Sequence, residues 1–201
     1  MLLSIITLLV AYIIGSIPSG ILLGKYVYHK DPRQFGSGNI GTTNAFRVFG
    51  VKGGLIVFLC DALKGAIPVW LAMWLNPQVH PLLVGIVAVI GHSFSLFLNF
   101  KGGKAVATSF GVAFAFLPIF ALLAIGVFFV CLYFSRMVSL SSLVGTGAAF
   151  FMSFYYQDWL FSLIVGLIWL LMIIRHRPNL ERIKNGTESK VPFGWGYKKN
   201  Q

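Results

Sequence analysis

The sequence predicts an all-α, polytopic membrane bundle of about seven transmembrane helices, with the N-terminus outside and the C-terminus cytoplasmic. Two observations carry this. The 201-residue chain is 57% hydrophobic and only 10% charged, and its apolar runs have helical length without the alternation of a barrel strand. Its basic residues are also clustered. Of 16 Lys and Arg, five lie from Lys25 to Lys52, two are Lys101 and Lys104, one is Arg136, seven run from Arg175 onward, and Lys64 stands alone. If the four clusters share the cytoplasmic side, an even number of crossings separates each from the next. The stretches Asn76 to His80, Leu117–Pro118 and Tyr155 to Asp158 hold no Lys or Arg and would face outward.

The first span, residues 2 to 23, has no basic segment before it and is followed by further spans, so it reads as a helix rather than a cleaved signal. Pro18 is expected to kink it. The next spans are residues 52 to 75 and 81 to 99. Residues 105 to 117 would rise only about 20 Å against a hydrocarbon core of about 30 Å, so this helix must tilt or begin inside a protein-lined cavity. Residues 118 to 134, 138 to 155 and 159 to 174 complete the set. One long helix kinked at Pro118 would give six crossings and strand the C-terminal basic cluster outside, against the charge rule. Trp70, Trp74, Tyr155, Tyr156 and Trp159 suit the outer interfacial belt. Repeats, linkers and low-complexity segments are not evident, so one domain over residues 1 to 201 is expected. Cys60 and Cys131 fall in apolar runs and read as buried free thiols, with no disulfide or metal framework. The formal charge of +11 resembles a nucleic-acid signature, but its segregation to one membrane side argues against a nucleic-acid partner.

Three polar constellations fall on that same side. The first, Gly36 to Arg47 (GSGNIGTTNAFR), combines backbone N–H groups, three hydroxyls, two carboxamides and a guanidinium, a donor set suited to phosphate. An ordinary solvated turn is the alternative. The second, Gly91 to Thr108 (GHSFSLFLNFKGGKAVAT), places Lys101, Gly102, Gly103 and Lys104 at the start of a helix, where a bare backbone and two ammonium groups favour an anion. The third, Arg175 to Glu188 (RHRPNLERIKNGTE), supplies His176, Asn179 and several cations just past the last span. The spans must bring these loops together for one site to form.

Two motif matches fail on context. Gly36, Gly38 and Gly41 spell G-x-G-x-x-G with Asp61 downstream, but a membrane helix follows where a βαβ unit is required. Gly103–Lys104 has the Gly–Lys of a P-loop, yet Leu98 and Ala105 occupy the positions of the upstream Gly and the Ser or Thr. Asp61 and Lys64, at i and i+3 within a span, are expected to pair; a structural role is favoured over a catalytic one. His92 reads equally as a packing histidine or a site residue. His80 and Asp158 read as solvated loop residues.

Taken together, the three segments resemble the bacterial acyl-phosphate:glycerol-3-phosphate acyltransferases, the PlsY family of integral membrane enzymes. The resemblance covers essentially the whole chain and extends to GSIPSG from Gly15 to Gly20 and DALKGAIPV from Asp61 to Val69. Two positions depart from the family: Ser95 where it usually carries Pro, and Ala105 where it usually carries Gly. The resemblance implies transfer of a fatty acyl group from acyl phosphate to the 1-hydroxyl of sn-glycerol 3-phosphate, giving 1-acyl-glycerol 3-phosphate and phosphate. It implies a multi-pass protein of the bacterial cytoplasmic (inner) membrane, in contact with membrane lipids and with its site facing the cytoplasm. No metal or cofactor is expected, because the mixed anhydride already stores the energy, and a monomer is expected. Ser37, Arg47, Lys104, His176 and Asn179 are implied as catalytic residues. Gly38, Asn39, Gly41, Thr43, Asn44, His92, Lys101, Gly102, Gly103 and Glu188 are implied as substrate-binding residues. Either His176 or a substrate phosphate oxygen could take the hydroxyl proton. No Ser-His-Asp arrangement is evident, which favours direct transfer over an acyl-enzyme on Ser37. A transporter or lipid scramblase is the competing class, but paired repeats of broken mid-membrane helices are not evident.

Overall fold

The computed structural model describes residues 1–75 and 78–197; among them every regular element is helical and none is a strand. Residues 76 and 77, which open the expected outer turn Asn76 to His80, lie outside the described residues. The chain separates into two compact units, Met1–Pro118 and Ile119 onward.

In the first unit, α1 (Leu2–Ser16) stops where Pro18 lacks an N–H and its ring blocks the preceding turn. The chain resumes as α2 (Ser19–Leu23), runs into one π-helical turn over Gly24–Tyr28, and is bent by 44° from α1. The carbonyls at this break find side-chain donors: Ser95 Oγ donates to Ser16 O at 2.6 Å and Lys64 Nζ to Ile17 O at 2.8 Å. Helix α3 (Thr42–Leu75) starts well before the expected residue 52, because its first turns are built from the polar constellation itself; it kinks at Gly50, φ 72 and ψ −170. Helix α4 covers Pro81–Ser93 and α5 Val106–Phe116. The 11 residues of α5 rise only about 16 Å, short of the about 30 Å of a hydrocarbon core.

Packing in this unit places small residues inside and large apolar ones outside, as lipid allows. Ala11, Gly15 and Ser16 of α1 are buried while Leu2, Ile6, Leu9 and Ile13 are exposed. Gly15 lies against the backbone of Ala88 and Gly91 against Tyr12 O, which lets α1 and α4 close on each other; Gly65 against Thr108 O and Gly111 against Ala62 O do the same for α3 and α5.

The second unit comprises α6 (Pro118–Ser135), α7 (Val138–Ser153), α8 (Trp159–Arg175) and α9 (Arg177–Lys184), the last bent by 60° from α8. Phe120 and Phe161 meet edge to face at 4.9 Å, and Ser153 Oγ donates to Ser162 Oγ at 2.9 Å. Past α9 the chain returns to the α6–α7 turn: Val191 N–H donates to Arg136 O and Trp195 N–H to Tyr133 O, each at 2.8 Å.

By length and hydropathy four helices can each cross a membrane, or up to six if each bent pair is one span, and α5 is a shorter apolar helix. The five residues expected in an interfacial belt are all exposed. The expectation of buried thiols fails: Cys60 is exposed, on the outward face of α3, and Cys131 is only half-buried, because an apolar run in a membrane helix has a lipid face as well as an inner one.

Candidate functional site

Loop geometry at the first constellation is set by Asn44. Its side chain is 1% exposed; its carbonyl oxygen accepts from Ser37 N–H at 2.8 Å, and its amide nitrogen donates to Pro32 O, Phe35 O and Asn39 O at 2.8 to 3.1 Å. The carboxamide expected to bind substrate is therefore spent on clasping the loop. Glycine is needed at Gly36 (φ 60), where a Cβ would fall on the Asn44 oxygen, and at Gly38 (φ 69). Asn39 closes an Asx turn, its carbonyl oxygen accepting from Gly41 N–H at 2.9 Å. The first intrahelical bonds of α3 come from Asn44 and Ala45 to Gly41 O, so the N–H groups of Thr42 and Thr43 point out of the helix start. Ser37 and Arg47 are exposed beside them, and a Cβ at Gly36 would lie 3.8 Å from that of Arg47.

The second constellation also differs from expectation. Gly102 N–H donates to Ser93 O and Gly103 N–H to His92 O, both at 3.1 Å, so the glycine backbone is not bare. Glycine is required for close approach: a Cβ at Gly102 would strike His92 O, and one at Gly103 would fall on the imidazole Nε2. The N–H groups that have no acceptor within the helix are instead those of Val106, Ala107 and Thr108, ahead of the first α5 bond from Ser109 to Ala105 O. Lys104 is half-buried just before them and Lys101 is exposed. His92, 4% exposed, has Nδ1 at 3.1 Å from Thr108 Oγ1 and 3.8 Å from Asp61 Oδ1. Asp61 and Lys64 form the expected ion pair at 2.7 Å. Both family departures have structural counterparts. Ser95 (φ −65) holds a proline-compatible backbone and gains the bond to Ser16 O. Ala105 takes φ 59, the left-handed region where the family's glycine would sit without strain.

In the second unit, His176 caps the turn between α8 and α9. It is 2% exposed, and Nδ1 lies 2.9 Å from Met172 O, an acceptor, so that nitrogen carries a proton. Glu188 was expected to touch substrate, but its side chain is only 6% exposed and both its oxygens are engaged. Oε1 accepts from Ser139 Oγ at 2.6 Å and Asn179 Nδ2 at 2.7 Å, and Oε2 from Arg182 Nε at 2.7 Å. Burial pushes this carboxyl up, yet the bonds from Ser139, Asn179 and Arg182 outweigh it and hold it below its ordinary value. Glu188 thus braces Asn179. The bracing partner Ser139 carries no local sequence signal; only tertiary contact identifies it. Among the described residues no group of three or more His, Cys, Asp or Glu could hold a metal.

Residues 5–186 match the sequence profile of the family described as Glycerol-3-phosphate acyltransferase. A protein of that name from Lactiplantibacillus plantarum is 47% identical over 98% of this chain and 96% of its own length. One from Listeria monocytogenes is 50% identical over 92% and 95%. Among solved structures, this chain is similar to the crystal structure of PlsY (YgiH), an integral membrane glycerol 3-phosphate acyltransferase, in its glycerol 3-phosphate form. The TM-score is 0.87 and the identity 37%, over 93% of this chain and 94% of that one. The lysophosphatidic acid form of PlsY gives 0.84 and 36% over the same shares.

Proposed function

The chain belongs to the glycerol-3-phosphate acyltransferase family of integral membrane proteins, and on that premise we propose that it uses acyl phosphate as donor. The 1-hydroxyl of sn-glycerol 3-phosphate attacks the acyl carbonyl, the new ester C–O bond forms, the bond to the phosphate oxygen breaks, and lysophosphatidic acid and phosphate leave. The whole chain acts as one acyltransferase domain of the bacterial inner membrane, in seven crossings with its site on the cytoplasmic side.

One observation carries the reading: two helix starts in the first unit, at Thr42 and Val106, each have N–H groups with no acceptor within the helix and a cation nearby in sequence, Arg47 and Lys104. Two phosphate-bearing substrates need two such anion sites. We assign the Ser37, Gly38, Gly41, Thr43 and Arg47 corner to phosphate binding, with Asn39 and Asn44 shaping it. The Val106 start with Lys104 and Lys101 holds the acyl-phosphate head and the oxyanion that develops at the carbonyl, a donor set fixed before reaction. Gly102, Gly103 and His92 shape that turn, while His176 and Asn179 orient glycerol 3-phosphate.

For the proton we favour a phosphate oxygen of the substrate over His176, which is flanked by Arg175 and Arg177, charges that disfavour the imidazolium a base must become. With phosphate as base, His176→Ala keeps the acidic limb of the pH–rate profile, since phosphate's second ionisation lies near pH 6, about where histidine titrates. A flat profile with a loss of about 10² to 10⁴ in rate would restore the imidazole as base.

The direct test is purified protein in liposomes given acyl phosphate with and without glycerol 3-phosphate. Phosphate release that depends on the acceptor, with lysophosphatidic acid formed, is expected. Protein that released none, yet moved lipid or solute across the vesicle, would make it a transporter.

A further inference from the structure

The Asp61–Lys64 pair has no part in the chemistry above, and its place in the fold is costly. Both side chains are nearly fully buried, 3% and 6% exposed, within a span whose exposed face is Leu55, Leu59, Leu63 and Ile67. A desolvated ion pair is often no more stabilising than apolar residues of the same size, so what it touches matters more than its own strength.

It touches both ends of a chain of contacts leading to the donor half of the site. Lys64 Nζ binds Asp61 at 2.7 Å and donates to Ile17 O, a carbonyl at the Pro18 break, at 2.8 Å. Asp61 Oδ1 faces His92 Nδ1 at 3.8 Å, and that nitrogen lies 3.1 Å from Thr108 Oγ1 in the first turn of α5. His92 meets the glycine turn twice: its carbonyl accepts Gly103 N–H at 3.1 Å, and its ring fills the space a Cβ at Gly103 would need. One imidazole therefore contacts both the turn that carries Lys104 and the helix start beside it.

We propose that Asp61 and Lys64 are positioning residues for the acyl-phosphate half of the site, acting through His92 to set the Gly102–Lys104 turn against the first turn of α5. The inference rests on the acyl-phosphate reading above. A pair that only held the bundle together would, when removed, lower the fraction of active protein and hence the apparent kcat, with both KM values unchanged. A positioning pair changes the KM for the substrate whose seat it sets.

Asp61→Asn combined with Lys64→Met removes both charges at similar volume and leaves no buried charge unpartnered. In proteoliposomes with equal folded protein, this double variant is expected to raise the KM for acyl phosphate by about tenfold or more, the usual scale for groups that orient a binding residue. The KM for glycerol 3-phosphate should stay within about twofold, inside the roughly 0.5 kcal/mol of an uninvolved site. His92→Gln should give the same shift, and the triple variant no further rise, because the groups act in series. Unchanged KM values in the double variant, a fall in kcat alone, or independent multiplication with His92→Gln would each overturn the inference. A wild-type protein inactive with acyl phosphate would bring down the reading of the site as well, whereas an active wild type beside an unaffected double variant overturns the positioning role alone.

Discussion

Arg47 stands exposed just over one turn into α3, whose first residues Thr42 and Thr43 precede the first bonds within the helix. If it holds phosphate through its planar fork, Arg47→Lys keeps the charge and loses a bidentate contact. A loss of about 1.5 to 3 kcal/mol, roughly 10- to 100-fold in kcat/KM, is expected with unchanged folded yield; near-normal turnover would reduce Arg47 to a topology charge. Ala105 offers the opposite kind of test. Its φ of 59 costs an L-residue roughly 1 to 2 kcal/mol, and glycine's greater unfolded freedom returns about 0.4 to 1 of that. Ala105→Gly should therefore raise the melting temperature slightly; a lower one would show that the methyl group packs well enough to offset the strain. A donor set suited to phosphate was readable in the chain from its arginine, lysines and glycines, although an ordinary turn shares much of that composition. Which polar groups are already engaged within the protein was not. Asn44 and Glu188 look like ligands in sequence, but Asn44 spends its hydrogen bonds on the loop before it and Glu188 on Ser139 of α7 and Asn179 and Arg182 of α9, and such partners depend on contacts that no spacing rule encodes.

At the scale of elements, the sequence-based spans each find a helix, since length and hydropathy dominate in lipid. The boundaries misjudged are that of α4, which ends at Ser93 rather than 99 and gives way to a 3-10 turn over Leu96–Leu98, and two polar ones. Helix α3 extends back to Thr42 and α9 appears within the third constellation, because helices outside the apolar runs are fixed by local backbone bonds and packing. Pro18 was readable as a break; Gly50 was not, being one glycine among 22. It has open space around it, so its cost to substitution is conformational only. The combination φ 72, ψ −170 belongs to a region essentially reserved for glycine, and forcing another residue there costs of order 1 to 3 kcal/mol. Gly50→Ala should straighten α3 at this point and swing Thr43, Asn44 and Arg47 away from the loop, lowering activity far more than it lowers the melting temperature of the bundle. Hydrogen exchange should rise over residues 36 to 47 and stay unchanged over 57 to 72. Activity retained with normal protection of the loop would mean the kink is tolerated rather than required.

At the scale of the whole molecule, the decisive pattern is where the charges lie along the chain rather than any local motif. If the chain makes the proposed seven crossings with the N-terminus outside, all four basic clusters share one side. Even the short α5 is then counted as a crossing, although its 11 residues reach only about half of a hydrocarbon core. Single cysteines can read the sides directly. With Cys60 and Cys131 replaced by Ser, Gln78→Cys and Gln157→Cys should react with an impermeant thiol reagent added to intact cells, while Gln34→Cys and Asn185→Cys should react only after the membrane is opened. All four positions are exposed, so failure to label reports the side and not burial. Labelling of Asn185→Cys from outside would mean an even number of crossings, with α5 and α6 forming one kinked span. The third constellation would then face away from the cytoplasm, and His176 and Asn179 would lose their assigned roles.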